Sequence, residues 1–98
     1  MSLHTVVLTR LADKDERLIY AYIKENFGLT YADEFRKKFI GLLELFTKKP
    51  FVGRPAKNDP TLRVFLFNKK NKVVYKIDNL KVVVLRILHT KTLLASRF

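Results

Sequence analysis

The chain has 98 residues, 48% of them hydrophobic, which is enough for one domain with its own core and no covalent staples. It has no cysteine, so a disulfide framework and thiol chemistry are excluded, and no apolar run approaches the roughly 20 residues of a membrane-spanning helix. The formal net charge is +11, and it is segregated: residues 1–46 hold seven Lys/Arg and seven Asp/Glu, whereas residues 47–98 hold thirteen against two. A field of that sign and asymmetry attracts a polyanion or an acidic protein, and solubility alone does not call for it.

Thr5-Val6-Val7-Leu8, within the run His4 to Thr9, reads as a first strand. The start, Met1-Ser2-Leu3-His4, has no basic region followed by an apolar one, so no signal peptide is expected and the location expected is the cytoplasm. Thr9 suits a helix N-cap, and Asp13, Asp15 and Glu16 suit the positive end of the helix dipole. Leu11, Leu18, Ile19, Tyr22 and Ile23 recur at helical spacing and are expected to pack in the core. Asn26-Phe27-Gly28 closes this helix, with Gly28 free to adopt positive φ. Thr30 opens a second helix, with Asp33 in an approximate capping-box position. Its stripe is Ala32, Phe35, Phe39, Leu42, Leu43 and Phe46, and Pro50 ends it. A link as short as Gly28 to Thr30 allows only an antiparallel helical hairpin.

Residues 50–61, PFVGRPAKNDPT, hold all three prolines and read as a loop carrying Arg54 and Lys57. Three apolar, β-branched runs follow: Leu62–Phe67, Lys72–Asp78 and Lys81–His89. Asn68-Lys69-Lys70-Asn71 and Asp78-Asn79 separate them, since Asn tolerates the left-handed backbone of tight turns. The runs form a three-stranded meander. Strict alternation in the last run puts Val83, Leu85 and Ile87 on one face and Val82, Val84, Arg86 and Leu88 on the other. Being apolar on both sides, this strand is expected to be central and covered. Residues 90–98 read as a mixed tail, with Leu93-Leu94 docking part of it. The expected fold is α+β, order β-α-α-β-β-β, with the helical hairpin packed on an antiparallel sheet.

Several chemistries are excluded. Two histidines at opposite ends and no cysteine leave no standard zinc site. Gly28, Gly41 and Gly53 are isolated, so there is no phosphate loop. The serines Ser2 and Ser96 are terminal and do not suit a triad. No metal and no cofactor are expected. What remains is a cationic cluster with one histidine: Arg63, Lys69, Lys70, Arg86, His89 and Lys91. Such a set can bind phosphate, Arg by bidentate contacts and Lys as a point charge. With His89 moving a proton, it could also serve RNA cleavage by an adjacent 2′-hydroxyl. The structural alternatives are a solvated hairpin tip for Lys69 and Lys70, a backbone-bonded His89, and an Arg86 paired with Asp78 or with an acid on a helix.

The ordered set VVLTRLADKDERLIYAYI, Gly53-Arg54-Pro55, Leu62-Arg63-Val64, Val74-Tyr75-Lys76-Ile77 and Leu85-Arg86-Ile87-Leu88-His89-Thr90-Lys91 resembles the RelE/ParE superfamily of type II toxin–antitoxin toxins across nearly the whole chain. The resemblance implies one toxin domain over residues 1–98. It implies a cognate antitoxin that wraps the toxin with an acidic or amphipathic C-terminal segment and contacts operator DNA with its other end, so that operator DNA is reached only through the antitoxin. No membrane partner is implied. RelE-like members cut mRNA on the ribosome, and Arg63, Arg86 and His89 fall where that activity places its catalytic residues. ParE-like members poison DNA gyrase. No tyrosine follows Tyr75, and the LRILHTK ending and the Gly53-Arg54-Pro55 loop lie closer to the ParE side. The expectation is therefore a ParE-like gyrase poison, with a ribosome-dependent endoribonuclease as the alternative. Arg54, Lys57, Lys69, Lys70 and Lys91 are the expected contacts to target or nucleic acid.

Overall fold

The computed structural model describes residues 3–98; Met1 and Ser2, part of the stretch read as lacking a leader, lie outside the described residues. The elements are β1 (Thr5–Leu8), α1 (Arg10–Phe27), α2 (Leu29–Lys48), β2 (Arg54–Pro55), β3 (Arg63–Phe67), β4 (Asn71–Asp78), β5 (Lys81–His89) and a short α3 (Leu93–Ser96). The α+β architecture is the expected one, with a helical hairpin on a mostly antiparallel five-stranded sheet of order β1-β5-β4-β3-β2. β5 is indeed interior. Two details were not visible in the sequence. β1 lies parallel to β5, pairing Thr5 with Lys81 and Leu8 with Val84, because the chain returns to the sheet only after two helices. A two-residue strand also forms inside the Pro-rich loop, where Arg54 opposes Val64; it is brief because Pro55 has no N–H to extend the ladder.

The helix termini follow local chemistry. The Thr9 hydroxyl accepts from the Ala12 N–H at 3.1 Å and donates to the Leu85 carbonyl at 2.9 Å, tying α1 to the sheet while capping it. Gly28, at φ 100°, ends α1 and is also the N-cap of α2. Thr30 is already helical, so the expected capping box is absent, and Asp33 instead accepts from the Tyr20 hydroxyl at 2.7 Å. Arg36 grips Glu16 with two bonds of 2.9 Å and lies 3.7 Å from the centre of the Tyr20 ring, which locks the hairpin. Asn68 and Asn79 take positive φ as expected, and Lys69 joins Asn68 in a turn with two left-handed residues.

The principal core lies between hairpin and sheet. α2 contributes Phe35, Phe39, Leu42 and Phe46, and the strands contribute Phe67, Val73, Tyr75, Val82, Val84 and Ile87. The β5 faces depart from strict alternation. Tyr75 opposes Val84 while Val74 opposes Arg86, so Leu85 is the extra residue of a β-bulge. The bulge shifts the phase by one, sending Val82, Val84 and Ile87 toward the helices and Leu85 and Leu88 to the outer face. There a smaller cluster of Ala56, Val64, Val74, Leu88 and Ala95 is joined by Leu62 and Phe98. Ala95 and Phe98, not the exposed Leu93 and Leu94, dock the tail.

The stripe on α1 is the main correction. Ala12 and Glu16 are its buried residues, while Leu11, Leu18 and Tyr22 are more than half exposed. The large α2 phenylalanines already fill the space over the sheet, so α1 contributes the small Ala12 and the half-buried Ile19 and Ile23 to that core. The face of α1 bearing Leu18 and Tyr22 is left unpartnered.

Candidate functional site

That face forms one wall of a groove of about 1040 Å³. Leu18, Ile19, Tyr22, Ile23 and Phe27 of α1, with Tyr31 and Phe35 of α2, make the apolar wall. The opposite wall is the β3–β4 turn, Asn68 to Asn71, and the end of β5 with the residues after it, His89 to Lys91. Lys38, Lys69, Lys70 and Lys91 all line the groove, and none of them pairs with a carboxylate among the described residues. Two acids line it, Asp15 and Glu34. Asp15 is already committed: it takes the Arg86 Nε at 2.8 Å, the Arg86 Nη2 at 3.2 Å and the Ile87 N–H at 2.9 Å. The groove is thus apolar on one side, cationic on the other, and short of free negative charge.

Tertiary structure sorts the expected site residues into three places. Lys69, Lys70, Lys91 and His89 come together on the cationic wall. His89 keeps a local role as well, since its Nδ1 accepts from the Lys91 N–H at 3.1 Å and its carbonyl accepts from the Thr92 hydroxyl at 2.9 Å. Arg86 sits on the β5 edge beyond the end of β1, bound to Asp15; this is the pairing with a helix acid that the sequence left open, and the bond holds its guanidinium above its already high pKa. Arg63 lies at the other end of the sheet. It starts β3 and is level with Tyr75 and Val84, whereas His89 is level with Asn71 and Phe67. Four residues along the strand and two strands across put them roughly 13 Å apart in one direction and 9–10 Å in the other. Arg63, Arg86 and His89 do not converge on a common site.

Arg63 belongs to a different construction. Its Nε donates to the Gly53 carbonyl at 2.9 Å and its Nη2 to the Phe51 carbonyl at 3.2 Å. Beside it, the Tyr75 hydroxyl donates to the Pro50 carbonyl at 2.7 Å and accepts from the Gly53 N–H at 2.8 Å. Tyr75 is wholly buried against Phe46, ring centres 4.3 Å apart, and burial raises its pKa. Gly53 is required by close approach, because a Cβ there would lie 2.7 Å from the Tyr75 hydroxyl and 2.8 Å from the Val64 carbonyl.

The remaining cations mark the outer face. Arg54 donates to the Phe98 carbonyl at 2.9 Å, and Lys72 to the Ala95 carbonyl at 3.0 Å, so both hold the C-terminal segment. Burial, followed by the nearby charges of Arg54 and Lys57, lowers the Lys72 pKa. Lys57 is exposed on the loop. Among the described residues no group of three or more His, Cys, Asp or Glu is placed to hold a metal ion, and no helix is long and apolar enough to cross a membrane. Sequence reading missed Lys38, Tyr22, Tyr31 and Phe27 as groove residues. The available signal was the α1 stripe itself, which is broader than a helix covered by large α2 side chains can bury.

A sequence model of the family described as "ParE toxin of type II toxin-antitoxin system, parDE" matches residues 6–94. Among solved structures, one described as the chromosomal ParDE toxin–antitoxin system from P. aeruginosa superposes with a TM-score of 0.77 at 18% identity, covering 89% of this chain and 96% of that one. The toxin–antitoxin complex RelBE2 from Mycobacterium tuberculosis gives 0.54 at 22% identity, covering 89% and 98%. At these identities the structural likeness shows a shared fold. No curated protein matches the chain in sequence.

Proposed function

The chain belongs to the ParE toxin family of type II toxin–antitoxin systems, and from that premise we propose that it is a cytoplasmic poison of DNA gyrase, held inactive by a cognate antitoxin whose acidic, amphipathic segment occupies the groove. Residues 1–98 act as one toxin domain. The observation that carries the antitoxin reading is the division of the groove into an apolar wall on the helices (Leu18, Tyr22, Ile23, Phe27) and an opposite wall of lysines without carboxylate partners among the described residues (Lys69, Lys70, Lys91), with Lys38 of α2 adding a further cation to the lining. An amphipathic helix lays its apolar face into such a groove and turns its acidic face to the lysines. The family match supports gyrase as the target. So does the dispersal of Arg63, Arg86 and His89, since stabilising a phosphorane needs donors converging on one point.

The test mixes the purified chain with gyrase, ATP and supercoiled plasmid. Trapped, cleaved plasmid is the expected product, and it disappears when the antitoxin encoded by the neighbouring reading frame is added. Intact plasmid together with ribosome-dependent mRNA cuts in a reconstituted translation extract would overturn the gyrase reading. Binding of that antitoxin is expected to weaken as salt rises, because exposed charges are screened beyond about 10 Å at 0.1 M salt.

A further inference from the structure

The loop after α2 exposes two large apolar residues side by side, Phe51 at 66% and Val52 at 42%. Exposed apolar side chains are ordinary when they are single and mobile. These are neither. Two β-strand side chains tie three of the four residues Pro50 to Gly53 through main-chain hydrogen bonds: Tyr75 to Pro50 and Gly53, Arg63 to Phe51 and Gly53. The Arg63 guanidinium also lies 5.2 Å from the centre of the Phe51 ring, within the range where a cation is drawn to an aromatic face. Pro50 is buried beneath, and the Val52 N–H donates to the Lys49 carbonyl at 3.2 Å. The ordering entropy of the loop has therefore been lost on folding, before any partner arrives.

We propose that Phe51 and Val52 form a rigid apolar finger that inserts into a pocket of the folded target protein, and that Arg63 and Tyr75 are its positioning residues. A convex, fixed aromatic needs a concave receptor. An antitoxin segment that folds onto the toxin has no preformed pocket, whereas a folded enzyme has. The finger also lies at the opposite end of the sheet from the lysine-lined groove, so the two surfaces serve different partners. The residues flanking it are Lys48, Lys49, Arg54 and Lys57, with no acid between Glu44 and Asp59, so the receptor is an apolar pocket edged with carboxylates. A nucleic acid fits less well, because the Arg63 fork and the Arg54 guanidinium are turned onto main-chain carbonyls. The proposal rests on the toxin reading above and is independent of which protein is the target.

The test expresses Phe51→Ala, Phe51→Leu, Val52→Lys and Arg63→Lys in full-length protein and reads growth arrest on induction, gyrase binding and thermal midpoint. Phe51→Ala and Val52→Lys are expected to melt with the parent and to lose arrest, with target affinity falling about tenfold or more, as for a truncated interface anchor. Phe51→Leu is expected to retain most activity by refilling the pocket. Arg63→Lys keeps the charge but not the fork, and it is expected to weaken binding while the Phe51 ring is still present. Folded Phe51→Ala and Val52→Lys proteins that arrest growth as the parent does would overturn the finger. So would binding to a single-stranded oligonucleotide that Phe51→Ala abolishes. If the parent arrests growth without binding gyrase and Phe51→Ala does not arrest it, the finger stands and the gyrase reading falls.

Discussion

The two ends of the sheet carry similar residues and use them in opposite ways. At the end where β3 begins, Arg63 and Tyr75 are turned inward onto the carbonyls and N–H of residues 50–53. At the end where β5 finishes, Lys69, Lys70 and Lys91 line an open groove with no carboxylate partner among the described residues. The difference teaches that cationic character does not by itself mark a binding site. An arginine whose donors meet loop carbonyls maintains the backbone, whereas lysines left without partners beside an apolar wall remain available to something outside the chain.

Truncating the buried support of the closed end should have the largest effect. Phe46 is fully buried against Tyr75, and Phe46→Ala is expected to lower stability by about 3–5 kcal/mol in urea unfolding. Tyr22→Ala, on the open wall, should stay within about 0.5 kcal/mol of the parent. Comparable losses for the two would mean that the groove wall is part of the core.

Asp15 links the two regimes, being a groove residue committed to the fold. Asp15→Ala leaves the Arg86 guanidinium and the Ile87 N–H without their acceptor, and is expected to cost about 1–3 kcal/mol. The lower part of that range is favoured because the Arg86 side chain is 31% exposed and solvent screens the pair. A smaller step separates Arg63→Ala, expected to cost about 1–2 kcal/mol through its loop carbonyls, from Lys69→Ala and Lys70→Ala. The lysine variants should melt with the parent yet bind the antitoxin more weakly and with a shallower salt dependence. Unchanged antitoxin affinity in the double lysine variant would remove the cationic wall from the interface.

The smallest effect is in the pH profile. Burial raises the Tyr75 pKa above its unfolded value, so the folded state holds this proton more tightly. The stability it confers is complete below the unfolded tyrosine pKa of about 10 and declines as pH rises through the folded value. Lys72 acts in the opposite sense, because its folded pKa is lowered. The discriminating quantity is therefore the difference between the parent and Tyr75→Phe. That difference should narrow above about pH 10, and a constant gap from pH 8 to 11 would show that the Tyr75 proton is not held more tightly in the folded state.

Much of this molecule could be read from order and pattern. The α2 stripe is legible because Phe35, Phe39, Leu42 and Phe46 repeat at a period only a helix satisfies, and four residues singled out in the sequence as candidate contacts or catalytic groups, Lys69, Lys70, His89 and Lys91, flank strand ends that the meander itself defines and prove to line the groove. The fate of Leu18 and Tyr22 was not legible, since their spacing is the same whether the neighbouring face is filled or empty. It was also beyond local sequence that a bulge at Leu85 would rotate the end of β5.

Local sequence determined the two long helices, the turns at Asn68 and Asn79 and the three-stranded meander, because each depends on residues within a few positions of one another. Tertiary structure alone decided which cations are structural and which are open. Arg63 meets the loop ten residues before it, Arg86 meets an acid 71 positions away, and the groove lysines meet no carboxylate within the described fold. Whether a charge finds its partner inside the molecule depends on which distant segments packing brings beside it, and no periodicity in the chain records that.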